Sequence, residues 1–201
     1  AVERMDYLFH KFNSDAVISP SFDPDQPVLH GSVCRVPVIV RPGLKKVSKR
    51  SPPRILVMLS GSVFGTKVSI QNTKLGIPIN IVGRERDSSE VKLKGIDFIG
   101  RVPNSIHYIN ASNLAVVNGG FSAVSEMFFR RCPMVVIPIP GHSEQYVNAK
   151  TIERLGVGLM AEEHELENKL EELVTKSDQF HEAFKRLKQF ENGAFLAARR
   201  I

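Results

Sequence analysis

Three short segments of the chain hold the backbone and side-chain types that bind phosphates and sugar hydroxyls. The first is Asn118-Gly119-Gly120-Phe121-Ser122-Ala123-Val124-Ser125-Glu126, in which two glycines permit a tight turn and a helix opens behind them. The unpaired N–H groups and positive dipole end of such a helix make an anion site, and Ser122 is predicted to cap it. A diphosphate fits there without a metal, because the helix terminus does part of what a cation would do. Glu126 carries two readings: a carboxylate favoured by the dipole as ordinary capping chemistry, or an acceptor for the vicinal hydroxyls of a sugar. The second segment, Ser60-Gly61-Ser62, follows an apolar run and offers two hydroxyls beside a backbone a ligand can approach; it also reads as a plain turn. The third runs from Pro138 to Ala149. There His142, Glu144 and Gln145 project from a loop stiffened by Pro138, Pro140 and Gly141, and a Glu beside a Gln suits a polyol because one accepts while the other donates and accepts. The alternative is a helix start with Glu144 near its positive end.

The remaining reactive side chains are less organised. His10, Asp23, Asp25 and His30 have no motif around them, and His107, His164 and His181 read as surface residues, so no catalytic base is assigned. Cys34 and Cys132 give no zinc spacing and read as small core thiols in a reducing compartment. No metal and no cofactor is expected.

The elements that must position these groups follow from apolar runs and their punctuation. Arg54–Leu59, Ile77–Val82, Ile96–Ile99, Leu114–Val117, Met134–Ile137 and Gly156–Leu159 read as strands, mostly apolar throughout. Helices are predicted between them, over 104–111, 122–131 and 144–155, with a further helix ending near Leu75 and a helical tail over 165–190. Strands without a polar face are covered on both sides, which predicts an α/β fold with a doubly wound, Rossmann-like parallel sheet from about residue 54. Upstream, a helix over 3–12, a strand over Asp15–Ser19, a helical turn over 28–35 and a strand over Pro37–Val40 are predicted. The predicted organisation is 1–41 as the end of a first domain, 42–53 as a linker, and 54–201 as the second domain with its C-terminal helices.

The 201 residues suffice for one domain and a remnant of another, and 42% apolar with 24% charged residues excludes a disordered chain. No run approaches the roughly 18–20 apolar residues that cross a bilayer, and the opening AVERMDYLFHKF is too charged for a secretory signal. The net charge is +6, and no acidic residue stands between Asp25 and Glu85. That stretch holds Arg35, Arg41, Lys45, Lys46, Lys49, Arg50 and Arg54, and reads as a solvated basic linker or as an attraction to anionic lipid or phosphorylated ligands. Aromatic residues are not interleaved with these cations, so nucleic acid is not expected.

The run NGGFSAVSEMFFRRCPMVVIPIPGHSEQYVNAKTIERLGVGL resembles the donor-binding signature of GT-B fold glycosyltransferases that use UDP-sugars. It is most similar to the branch of the bacterial lipid II-forming N-acetylglucosaminyltransferase and its archaeal relatives, over about residues 54–190. The resemblance implies that Glu126 binds the ribose, that Gly120, Phe121 and Ser122 hold the diphosphate together with Ser60, Gly61 and Ser62, and that Val102 reads the uracil edge. It places the donor sugar on Glu144 and Gln145, with His142 beside them. Asn118 stands where plant and animal branches usually carry His, so no cationic contribution is carried over there. An inverting, metal-independent transferase located in the cytoplasm, or peripherally at the inner face of the membrane, is implied, with a lipid-linked acceptor as one possibility. Its acceptor half would lie outside this chain or be truncated. Two other readings remain: a donor-binding subunit that needs an acceptor-binding partner chain, and a nucleotide-sugar hydrolase or epimerase, which would release sugar without any acceptor.

Overall fold

The computed structural model describes residues 8–10, 12–14, 17–23, 33–47, 53–59, 75–83, 95–189 and 191–200. The chain forms two compact units, residues 1–40 with 189–201, and residues 41–188.

In the first unit β1 (Val17–Ser21) pairs in parallel with β2 (Val33–Pro37), Val17 opposite Val33 and Ser21 opposite Pro37. Both strands differ from the sequence reading. β1 runs on through Pro20, which a strand tolerates where its N–H is not needed by a neighbour. Residues 33–35, predicted as part of a helical turn, are strand, while 38–40 leave the strand that was predicted over 37–40. The β-branched run from Val36 to Val40 reads as strand in either frame, and pairing with β1 selects the earlier one. The last helix, which we label α6 (Gly193–Ala198), also differs: it belongs to this unit and not to the domain predicted over 54–201. Asn192 explains why. Its Oδ1 accepts from the Ala194 N–H at 3.1 Å, capping the helix, and from the Val40 N–H at 3.2 Å, while its Nδ2 donates to the Val40 carbonyl at 2.6 Å. Gly193 N–H donates to the Val38 carbonyl at 3.0 Å, an approach that a side chain would block by striking the Pro37 backbone.

The second unit is built on six parallel strands in the order β5-β4-β3-β6-β7-β8. They are β3 (Ile55–Met58), β4 (Ile79–Val82), β5 (Ile96–Gly100), β6 (Leu114–Asn118), β7 (Met134–Ile137) and β8 (Gly158–Met160). Between them lie α1 (Ile106–Ala111), α2 (Phe121–Arg130) and α3 (Ser143–Arg154), followed by α4 (Leu166–Thr175) and α5 (Ser177–Arg186). The predicted tail over 165–190 is thus two helices, broken where Lys176 leaves helical geometry at φ −95°, ψ 10°. Alternate strand residues Ile55, Val57, Val116, Val135 and Ile137 pack with Leu166, Leu170, Leu173 and Phe180 of α4 and α5. The intervening residues Leu56, Ala115, Val117, Met134 and Val136 are equally buried on the other face. α2 and α3 pack against β6, β7 and β8. Burial of both faces is what the continuous apolar runs required. The chain builds outward from β3 through β4 to β5, then returns to place β6 on the other side of β3. The topological switch point, where ligands enter sheets of this kind, therefore lies beyond the carboxyl ends of β3 and β6.

Candidate functional site

At this switch point β6 ends on Asn118, whose Nδ2 donates to the Ile137 carbonyl at 3.1 Å and ties the ends of β6 and β7 together. The two glycines that follow are glycines for different reasons. A Cβ on Gly119 would lie 2.5 Å from the backbone oxygen of Gln145, and the Gly119 carbonyl accepts from the buried Asn148 side chain at 2.8 Å. Gly119 is thus required by packing against α3. Among the described residues a Cβ on Gly120 would meet nothing within 4 Å, so none of them covers the backbone there. Gly120 occupies the N-cap position of α2, and Val124 N–H is the first to reach back four residues, to the Gly120 carbonyl at 3.1 Å. The amides of Ser122 and Ala123 have no acceptor within the helix, as at every helix start. Ser122, predicted as the cap, sits inside the first turn, exposed and making no capping bond. Removing it from the cap role leaves its hydroxyl for a ligand. Ser125 is fully buried, and its hydroxyl finds no hydrogen-bond partner among the described residues.

Glu126 lies further along α2, with its side chain 12% exposed. Its carboxylate faces Arg41: Nη2 donates to Oε2 at 3.1 Å, and Nε lies 2.6 Å from Oε1 in an ion contact off the hydrogen-bond axis. Arg41 Nη2 also donates to Ser105 Oγ at 2.8 Å and Nη1 to Asn104 Oδ1 at 3.4 Å, just ahead of α1. The sequence reading missed Arg41 as part of the site, because it stands in a stretch that reads as a solvated linker. The structure corrects that reading for residues 41–47. Asn110 clasps the backbone of the segment, its Oδ1 accepting from Lys45 N–H at 2.9 Å and its Nδ2 donating to the Gly43 carbonyl at 2.9 Å. The buried Arg130 donates from Nε to the Lys45 carbonyl at 2.9 Å, and Val47 N–H returns to the Arg130 carbonyl at 2.8 Å. Lys46 turns its ammonium onto the Phe129 carbonyl and 4.2 Å from that ring's centroid, and burial with the neighbouring Arg131 charge lowers its pKa. These polar bonds hold a segment with few apolar residues, and tie two of its cations, Arg41 and Lys46, to groups of α2.

The other flank is the loop after β7. Gly141 adopts φ +82°, the left-handed region glycine tolerates. His142 N–H donates to the Ile139 carbonyl at 3.1 Å, and Gln145 Oε1 accepts from Ile139 N–H at 3.0 Å. Gln145 is therefore a staple for its own loop, with its amide NH2 left to donate elsewhere. His142 occupies the N-cap position of α3, and His142 and Glu144 are both exposed. Val102 is half-buried just after β5, two residues ahead of Asn104. Ser60, Gly61 and Ser62 follow β3 but lie outside the described residues, as do Asp25 and His30. His107 and His164 are exposed, whereas His181 is half-buried. Burial pushes the Cys132 thiol up to about 11, so it stays protonated and inert. Among the described residues no helix is long and apolar enough to cross a membrane.

A doubly wound parallel sheet with a glycine turn opening a helix at its switch point is a Rossmann-like arrangement, one that the GT-B architecture also uses. Solved structures agree on the fold. The chain resembles MurG of Acinetobacter baumannii with a TM-score of 0.62 at 14% identity, covering 96% of this chain and 69% of that one. It resembles the Streptomyces sp. SF2575 glycosyltransferase SsfS6, solved with thymidine diphosphate, with a TM-score of 0.56 at 17% identity over 92% of this chain and 49% of that one. Residues 79–201 match the glycosyltransferase family 28 C-terminal domain, and the chain belongs to that family. An uncharacterized glycosyltransferase of Methanopyrus kandleri is 28% identical over 158 residues, 66% of this chain and 44% of the relative. The UDP-N-acetylglucosamine–N-acetylmuramyl-(pentapeptide) pyrophosphoryl-undecaprenol N-acetylglucosamine transferase of Thermosipho africanus is 29% identical over 123 residues, 60% of this chain and 36% of the relative. The chain thus spans less than half the length of these relatives.

Proposed function

We propose that the chain is the donor-binding half of a UDP-sugar-dependent glycosyltransferase, inverting and independent of metal. The observation that carries this is the Gly119–Gly120 turn, which opens α2 at the switch point with no described residue within 4 Å of a Cβ on Gly120. In this reading the diphosphate rests on the Gly120, Phe121 and Ser122 backbone and on Ser60, Gly61 and Ser62. Glu126 accepts from the ribose, backbone near Val102 meets the uracil, and His142, Glu144 and Gln145 meet the sugar. In the transfer an acceptor oxygen attacks the anomeric carbon while the bond from that carbon to the diphosphate oxygen breaks. The leaving diphosphate takes the electron pair, which the α2 start stabilises, and the acceptor proton goes to a base on the acceptor side. Peripheral membrane association through the basic stretch belongs to the same proposal when the acceptor is lipid-linked.

The test is a thermal-shift screen of nucleotides and nucleotide sugars. A UDP-sugar at 100 times its Kd should stabilise the chain by about 2.7 kcal/mol. Stabilisation by a different nucleotide class and none by UDP compounds would overturn the donor assignment.

A second reading, a donor-binding subunit completed by an acceptor-binding partner chain, is favoured by the first unit. Among the described residues its sheet has two parallel strands, fewer than stand alone, and it exposes Phe9, Phe12, Phe195 and Leu196. Turnover of a lipid-linked acceptor by the isolated chain would exclude this reading.

A further inference from the structure

We propose that Arg41 is a positioning residue for Glu126, fixing its carboxylate so that it discriminates ribose from deoxyribose. This rests on the reading of Glu126 as the ribose acceptor. The two partners of the ion pair are held unequally. Arg41 is placed without Glu126: its segment is bound by Asn110 and Arg130, and its guanidinium is held by Ser105 Oγ at 2.8 Å and Asn104 Oδ1 at 3.4 Å. Glu126, by contrast, has Arg41 as its sole polar partner among the described residues. Among the described residues nothing polar besides the guanidinium selects among the Glu126 rotamers.

Nη2 donates a hydrogen bond to one lone pair of Oε2 while Nε sits in ion contact with Oε1, and the remaining lone pairs are left to accept hydroxyls. Arg41 is itself 36% exposed, and an ion pair so placed adds little to stability. The contribution of the pair is therefore orientation: a flexible acid is held ready beside the helix start where a nucleotide would lie. Lysine would keep the charge but not the two-point hold.

Calorimetric titration of the whole chain with UDP, 2′-deoxy-UDP and uridine tests this, with melting temperature followed for each variant. The wild type should prefer UDP over its 2′-deoxy form by about tenfold, the value of one charge-assisted hydrogen bond. Arg41→Gln and Arg41→Lys should both reduce the preference to about threefold or less with little change in melting temperature, and both should weaken uridine. Asn110→Ala, which loosens the segment that places Arg41, should lower the melting temperature and reduce the preference with it. If Arg41→Gln keeps the preference while Glu126→Gln abolishes it, the positioning role is wrong and the ribose reading of Glu126 stands. If Glu126→Gln also keeps it, the ribose reading fails and this inference with it. A loss by Arg41→Gln confined to UDP, with uridine unaffected, would mean that Arg41 acts on the phosphates and overturns the proposal.

Discussion

The two flanks of the α2 start are built differently. On one side a charged pair is locked: Glu126 and Arg41 face each other, and Arg41 is held in turn by Ser105 and Asn104. On the other side the His142 and Glu144 side chains stand exposed, and the loop is tied by Gln145 Oε1 accepting from the Ile139 N–H and by His142 N–H donating to the Ile139 carbonyl. The first flank is set before any ligand arrives, as suits a nucleotide recognised in one pose. The second leaves several polar groups adjustable, as suits hydroxyls that differ from sugar to sugar. Under the proposed assignment, preorganisation of the Glu126 flank would let a nucleotide bind without ordering new side chains.

The sharpest break of this comparison uses the adjacent glycines. Gly119→Ala must push the methyl into the Gln145 backbone, so it should destabilise the chain by about 1–3 kcal/mol or more and disturb both flanks together. Gly120→Ala meets no atom of the described residues and keeps an ordinary φ of −59°, so the melting temperature should hold while UDP binding falls if the methyl enters the space proposed for the ligand. Equal melting temperatures for the two variants would contradict the assignment of packing to one and openness to the other. Gln145→Ala comes next. It should weaken UDP-sugar more than UDP, by about 0.5–1.5 kcal/mol for a neutral hydrogen bond, and equal losses for both would remove the sugar contact. The smallest effect concerns Cys132, whose thiol is held protonated by burial. Native protein at pH 8 should leave Cys132 unmodified by a maleimide until denaturant is added, and rapid native labelling read by peptide mass would contradict its burial.

Much of the sheet unit was legible in the sequence because its signals are local. The segment from Leu114 to Arg154 alternates short apolar runs with Gly and Pro punctuation, and its strands and helices fall within one or two residues of the expected bounds. What was not legible depends on partners distant in sequence. Arg41 and Glu126 are 85 residues apart, and nothing near Arg41 marks it as paired. Residues 41–47 look like a linker because polar bonds, which carry no periodicity, hold them in place. α6 joins the first unit through Asn192 reaching Val40 across 152 residues. Ser122 misled because a Ser ahead of a helix reads as a cap, whereas the turn begins at Gly120.

The most direct test of the central claim is a calorimetric titration of UDP into the wild-type chain and Glu126→Ala, with melting temperatures compared. The account predicts that UDP binds the wild type and that the substitution costs about 1–3 kcal/mol of binding free energy with the fold retained. Unchanged UDP affinity in a folded Glu126→Ala chain would contradict it.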